Sequence, residues 1–363
     1  MNLTSATGTI SSAGVGSGLD VNSIVTQLMA VERLPLTRLQ ATASTLQTTL
    51  SAYGQLKSAV SNLQDAAKPL FSADSFALTN ASSTDPSSVS AGTTTKATPG
   101  IYSVSVSALS APQSIVSASG QYADGSAVVG TGSLTIRLGS WDAGQTTFTP
   151  QAGSADITVP VGASANTLAD IRDQINAANA GVSASLVTDA TGTRLAIQSS
   201  ATGAGNGFRV TVADDDGGNA DGAGLSRLAF DPASGAAQMT RAQAAADAQA
   251  TINGIAVTSA SNSLDGAIDG ITFSLSKVTT QPVTVNVSRN TEAIKGFVAG
   301  FVAAYNSLNS FLSSATHYDA ATKQAALLQG DGTTTGIQNQ LHALLAPASG
   351  ASSTFKTLSS IGV

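Results

Sequence analysis

Between Pro35 and Lys68 an apolar residue returns every seven positions, at Leu39, Leu46, Tyr53, Val60 and Ala67, with Leu50, Leu56 and Leu63 on neighbouring rows. A repeat of seven marks a helix whose one face is covered by another helix. At a rise of about 1.5 Å per residue the stretch would measure roughly 50 Å, longer than a small globular domain can cover. It needs a second long helix. One is legible far along the chain, where Asn290 can cap a segment bearing Ile294, Val298, Phe301, Tyr305, Leu308 and Leu312, spaced alternately four and three apart. At about 1.5–3 kcal/mol per buried side chain this stripe is worth on the order of 10 kcal/mol before entropy is subtracted. The spacing fits a seam inside one chain or between subunits.

Other helical signals flank these two. Asp20 is a good N-cap for a segment carrying Ile24, Leu28 and Val31, which Pro35 is expected to interrupt. Residues 1–19, rich in Gly, Ser and Thr, are expected to be a flexible N-terminal segment. Ile337, Leu341, Leu344 and Leu345 share one side of a shorter helical pattern between a Gly330-Asp331-Gly332 break and Pro347.

The middle of the chain has a different period. Tyr102, Val104, Val106 and Ala108 alternate with serines, and Leu134, Ile136, Leu138 and then Ile157, Val159, Val161 alternate with other residues, as half-buried strands do. Thr167 and Asp170 suit the N-terminal cap of a short helix with Leu168, Ile171 and Ile175, followed by a hairpin turning near Gly192. A second strand-rich segment has an Asn253-Gly254 turn, then Ile271, Phe273, Leu275 and Val283, Val285, Val287. A chain of 363 residues also exceeds one ordinary core.

The expected fold is therefore α+β: a discontinuous, coiled-coil-like helical leg formed by both ends of the chain, with two nested β-rich head domains between them. The leg is placed at 20–74 and 290–363, an outer head domain at 75–116 and 237–289, and an inserted one at 117–236.

Composition excludes several function classes. Charged residues make up 10% of the chain, well under the roughly 25% of average soluble proteins, so its faces suit coverage by neighbours. Net charge is -6 and the 16 Lys and Arg form no basic stripe, which argues against nucleic acid as a partner. The longest apolar run, Phe297 to Tyr305, is far short of the roughly 20 residues of a membrane span. No Sec-type signal peptide opens the chain, so export would need another route. Without cysteine there are no disulfides or thiol chemistry. His317 and His342, the two histidines, stand beside no Ser or carboxylate motif, and no catalytic residue, metal ligand or cofactor is expected. The run from Asp214 to Gly222 invites a calcium reading, but its best register starts at Gly217 and ends at Leu228, so a solvated turn is favoured. Gly203, Gly205 and Gly207 lack dinucleotide-loop spacing and lead into a strand.

Residues 14–40, GVGSGLDVNSIVTQLMAVERLPLTRLQ, closely resemble the opening of the flagellar filament-capping family, also called hook-associated protein 2. Three further segments agree in order: PGIYSVSVSALSAPQSI from Pro99, INGIAVTSASNSLDGAIDGITFSL from Ile252, and FVAAYNSLNSFL from Phe301. GSLTIRL from Gly132 and the segment from Thr167 to Ser200 are similar to the insertion motif shared with flagellins.

The resemblance implies a structural, non-enzymatic protein, secreted unfolded through the flagellar channel and seated as a small homo-oligomeric ring at the distal filament tip. There it would help exported flagellin fold and polymerise and prevent its loss, supporting motility. The partners implied are copies of itself, flagellin, hook–filament junction proteins and an export chaperone. Gly18-Leu19-Asp20 is the family motif, read either as an assembly signal or as a flexible start before a helix cap. Family members continue past the region of Val363 into a helix that joins the axial bundle, so the C-terminal part of the leg is expected to be incomplete. The alternatives are a tip-displayed adhesin that binds host surface glycans, giving cell adhesion, and another flagellar axial protein.

Overall fold

The computed structural model describes residues 20–345, and the chain divides into two compact units, residues 20–76 with 291–345 and residues 77–290. Residues 1–19 and 346–363, which include Gly18 and Leu19, lie outside the described residues.

The helical unit is built on one 47-residue helix, Val21–Ala67. Asp20 caps it, accepting the Ser23 N–H at 3.0 Å. The expected interruption at Pro35 does not occur, because the helix runs through it. A proline withholds one N–H and crowds the carbonyl four residues back, a local cost that the long run of good helix formers on both sides absorbs. A 3-10 turn, Lys68–Phe71, with Pro69 early in it, ends the run. The chain returns in Thr291–Thr316 and, after a two-stranded ribbon of Tyr318–Asp319 and Gln324–Ala325, in Gly332–Leu345.

These three helices share one core. Leu56, Leu308, Leu312 and Leu341 are buried together, with Tyr53, Ala59, Leu63, Tyr305, Phe311 and Ile337 packed around them. The start of the return helix lies beside the end of the long one: Phe301 and Tyr305 share a groove with Val60, Leu63 and Ala67.

The seam expected from the sequence is corrected at its outer end. Leu39 and Leu46 are 68% and 65% exposed and belong to no seam among the described residues. Val298 is 41% exposed, Val60 sits at the rim, and Ile294 and Phe301 are half-buried. The reason is length. The return helix has 26 residues, ends at Thr316 just past buried Leu312, and so runs out near the level of Leu56.

The β-rich unit holds two modules with separate cores. The outer module has a five-stranded sheet in the order Thr79–Ser83, Val283–Arg289, Gly100–Ala108, Ala248–Ile252, Ile255–Ser259, and a three-stranded sheet of Ser263–Ile268, Ile271–Leu275 and Val89–Thr93. Its core gathers Val104, Val106, Phe273, Val285 and Val287, the residues that alternate in the sequence. At the Asn253-Gly254 turn both residues have positive φ, +49° and +85°, as a two-residue hairpin requires.

The inner module packs a six-stranded sheet and a four-stranded sheet with the helix Leu168–Ala177. Ile136, Leu134, Phe208 and Val210 from one sheet meet Leu195 and Ile197 from the other and Ile171 and Ile175 from the helix. Thr167 and Asp170 form the capping box in full.

Here the expected domain boundaries are corrected. Ser114–Val116 pairs with Gly192–Ser199 and with Thr240–Gln243, so both segments belong to the inner module, whereas 75–116 and 237–289 were assigned to the outer one. The crossing is marked by the bridge Ala111↔Ala246. A three-residue strand is too short to show its period, and only its partners reveal where it belongs. At the unit boundary Ser75 and Phe76 fall with the leg, and Asn290, whose N–H donates to the Leu78 carbonyl at 2.9 Å, falls with the head.

Candidate assembly surface

The long helix carries its apolar stripe past the end of its internal partners. An α-helix advances about 100° per residue, so positions seven apart lag by roughly 20°. Leu39, Leu46, Tyr53, Val60 and Ala67 therefore lie on one slowly winding stripe. Its second half rests on the return helices; its first half, with Leu28, Val31, Leu36 and Leu50, faces solvent, Leu50 at 71% exposure.

Residues 21–50 amount to about 45 Å of helix. Glu32, Arg33 and Arg38 are their charged residues. The threonines add little polarity, because Thr26, Thr37, Thr42, Thr45, Thr48 and Thr49 turn their hydroxyls back onto carbonyls four residues earlier. A helix so low in charge, with a continuous stripe of large aliphatic side chains, has the character of an interface.

A second apolar feature adjoins the packed end. Val60, Leu63, Ala67 and Phe71 face Phe301, Tyr305, Ile337 and Leu341 across a groove of ≈ 650 Å³. Phe71, at its rim, is 88% exposed.

The three-helix core is tied by one polar contact that the sequence pattern did not disclose. Tyr53 donates its hydroxyl to Asp331 Oδ2 at 2.6 Å, while Asp331 Oδ1 accepts the Thr334 N–H and hydroxyl, both at 2.7 Å. Asp331 thus caps the last helix and anchors it to the first. These hydrogen bonds, Tyr53's foremost, hold the Asp331 carboxyl below its ordinary range, and the same bond pushes the Tyr53 phenol up. The Gly330-Asp331-Gly332 run reads as a break from its glycines alone; the available signal was Asp331 standing three residues before Thr334, an N-cap spacing.

Of the proposed seam residues, the structure brings together Tyr53, Tyr305, Leu308 and Leu312, joined by Leu56 from a neighbouring row and Leu341 from the last helix. Leu39 and Leu46 stay apart from them. Asp20 caps the long helix.

His317 and His342 are exposed, and no cluster of His, Cys, Asp or Glu among the described residues could hold a metal. The Asp214–Asp221 carboxylates serve their own loop: Asp214 Oδ2 accepts the Ser226 N–H, Asp216 Oδ1 that of Gly218, and Asp221 Oδ1 that of Ala223. Among the described residues no helix is long and apolar enough to cross a membrane.

Comparison with known proteins gives this surface a context. Residues 17–113 match a family model described as flagellar hook-associated protein 2 N-terminus, and residues 245–363 match the corresponding C-terminus model. Residues 147–201 match the flagellin hook IN motif. The flagellar hook-associated protein 2 of Escherichia coli K12 is 35% identical over 364 residues, covering 98% of this chain and 73% of that protein. The B-type protein of Pseudomonas aeruginosa is 34% identical over 97% of this chain and 73% of its own length. Among solved structures, the D1-D2-D3 domains of the Escherichia coli flagellar cap protein FliD superpose with a TM-score of 0.68 at 33% identity, covering 85% of this chain and 80% of that one.

Proposed function

Because the chain belongs to the flagellar hook-associated protein 2 family, we propose that it is a structural cap at the distal tip of the flagellar filament, where it promotes folding and polymerisation of exported flagellin and prevents its loss. The observation that carries this reading beyond the family match is the unpaired stripe of the long helix. A face of about 45 Å that no described part of the chain covers asks for other helices, which a ring of copies or the axial core of a filament would supply.

The role is mechanical. Low charge and Ser- and Thr-rich faces suit a surface that slides past flagellin without holding it. Contact and shelter do the work, and no reacting group is needed. The chain would reach its place by the flagellar export channel. The matches favour neither a dedicated adhesin nor another axial component.

Deletion tests the reading. A strain lacking this chain should shed flagellin monomers and barely swim, and supplying the full-length protein should restore filaments. Filaments of normal length in the deletion strain would rule capping out.

A further inference from the structure

An open sheet edge presents a row of free N–H and C=O groups on which any extended chain can add as a strand. The inner module has two sheets and therefore four edges, and each is obstructed in a different way.

In the six-stranded sheet one edge is Ala236–Ala237, a strand of two residues. The eight-residue Gly207–Asp214 behind it pairs with Phe230 at Val210 and is filled at Phe208 by the Gln113 amide, which accepts the Phe208 N–H at 3.2 Å and donates to the Phe208 carbonyl at 2.7 Å. The opposite edge is shared by Phe148–Pro150 and Ile157–Val161, which both pair with Gly132–Trp141. Each contains a proline, Pro150 and Pro160. Proline is held in edge strands with its nitrogen turned away from the ladder, so an incoming strand meets no donor there.

In the four-stranded sheet one edge is Thr240–Gln243, whose register shifts between Arg241 and Gln243. Such an irregularity breaks the row of groups. The other edge, Val182–Asp189, is eight residues long, free of proline, and paired regularly to Gly192–Ser199. By length and regularity it is the most dangerous of the four.

It is plugged by a side chain. Ala184 donates its N–H to Asn176 Oδ1 at 2.7 Å, and Asn176 Nδ2 donates to the Ala184 carbonyl at 2.9 Å. The amide thus makes the two bonds that a neighbouring strand would make. Outward-pointing groups fall on alternate residues, so beyond Ala184 only Leu186 and Thr188 remain before the hairpin at Gly192. An added strand would find two positions there, fewer than a strand of usual length needs.

We infer that the inner module is built to refuse strand addition, with the Asn176 amide as the plug of the Val182–Asp189 edge. The use of this device rests on the capping reading, under which the head works beside extended, unfolded flagellin. The device itself does not depend on that reading and can be tested on the chain alone.

The test uses the full chain and two variants, Asn176→Ala and the same change with Ser185→Lys. Hydrogen exchange is read at the Ala184 amide, and mass distribution by sedimentation at rising concentration. In Asn176→Ala exchange at Ala184 should quicken about tenfold, the loss of one hydrogen bond. It should also gain concentration-dependent species absent from the parent, and Ser185→Lys, an exposed lysine on the same edge, should remove them. Unchanged exchange at Ala184 would show that the amide plugs nothing. Faster exchange with the parent's mass distribution would show that the edge needs no plug. Either result overturns the inference, whereas normal filaments in a deletion strain would overturn only capping.

Discussion

Among the described residues the head finishes its own burial and the leg does not. In the head, alternating strands close two cores in which Phe208, Phe273, Leu195 and Val285 reach zero exposure. In the leg, the same kind of aliphatic side chain is buried at Leu56 and Leu312 and open at Leu39 and Leu46. A sheet module can satisfy its apolar residues locally, since its partners lie a hairpin away. A 47-residue helix can do so only with partners as long as itself. The difference separates a part shaped by folding from a part left for assembly.

The largest effects should come from breaking the closed part. Phe208→Ala removes a fully buried ring from the inner core and should cost about 3–5 kcal/mol. Chemical denaturation should register it as loss of head stability, and no change would mean that the inner core is not the packed body described. Leu312→Ala does the same to the packed end of the leg and should cost about 2–4 kcal/mol. If both units unfold together, one transition should shift; if they unfold separately, only the helical signal should move.

The two parts were also unequally legible in the sequence. Period two gave the strands with Val104, Ile136 and Val285, and the Asn253-Gly254 pair marked its hairpin, because those signals are local and each residue's fate depends on its own face. The short strands Ser114–Val116 and Thr240–Gln243 were not legible, since pairing across more than a hundred residues leaves no trace in a three- or four-residue run. In the leg the stripe was legible but its coverage was not. Leu46 and Tyr53 occupy equivalent heptad positions, and what separates them is where the return helix ends. The Asn176 plug was invisible for a related reason, as an asparagine on a helix says nothing of which strand lies beside it.

A smaller effect should follow pH. Asp331 has its pKa lowered in the folded chain, so its contribution is complete above the ordinary carboxylate range near 4 and is lost as pH falls through the lowered value. Tyr53 has its pKa raised, so its contribution is present below about 10 and is lost as pH rises through the raised value. The leg should therefore be most stable between those limits. In Asp331→Asn, which can keep an oxygen for the Thr334 N–H and hydroxyl but turns an NH2 donor toward Tyr53 and carries no charge, the acid limb of the melting profile should flatten. A variant profile parallel to the parent's from pH 3 to 6 would remove Asp331 from the account.

The smallest effect on stability belongs to the variant that most sharply divides the two regions. Leu39→Asp/Leu46→Asp places two charges on side chains that already face water, so the melting of the single chain should change by no more than about 0.5 kcal/mol. Its assembly should fail, because a carboxylate buried between helices without a partner costs several kcal/mol at each contact. Val298→Asp, at 41% exposure on the return helix, should resemble it in leaving the fold intact. Light scattering on the full chain and swimming of the complemented strain read the assembly arm. A double variant that melts like the parent and no longer assembles would tie the open half of the stripe to contacts between chains; one that melts many degrees lower would show that this half is already covered within a single chain.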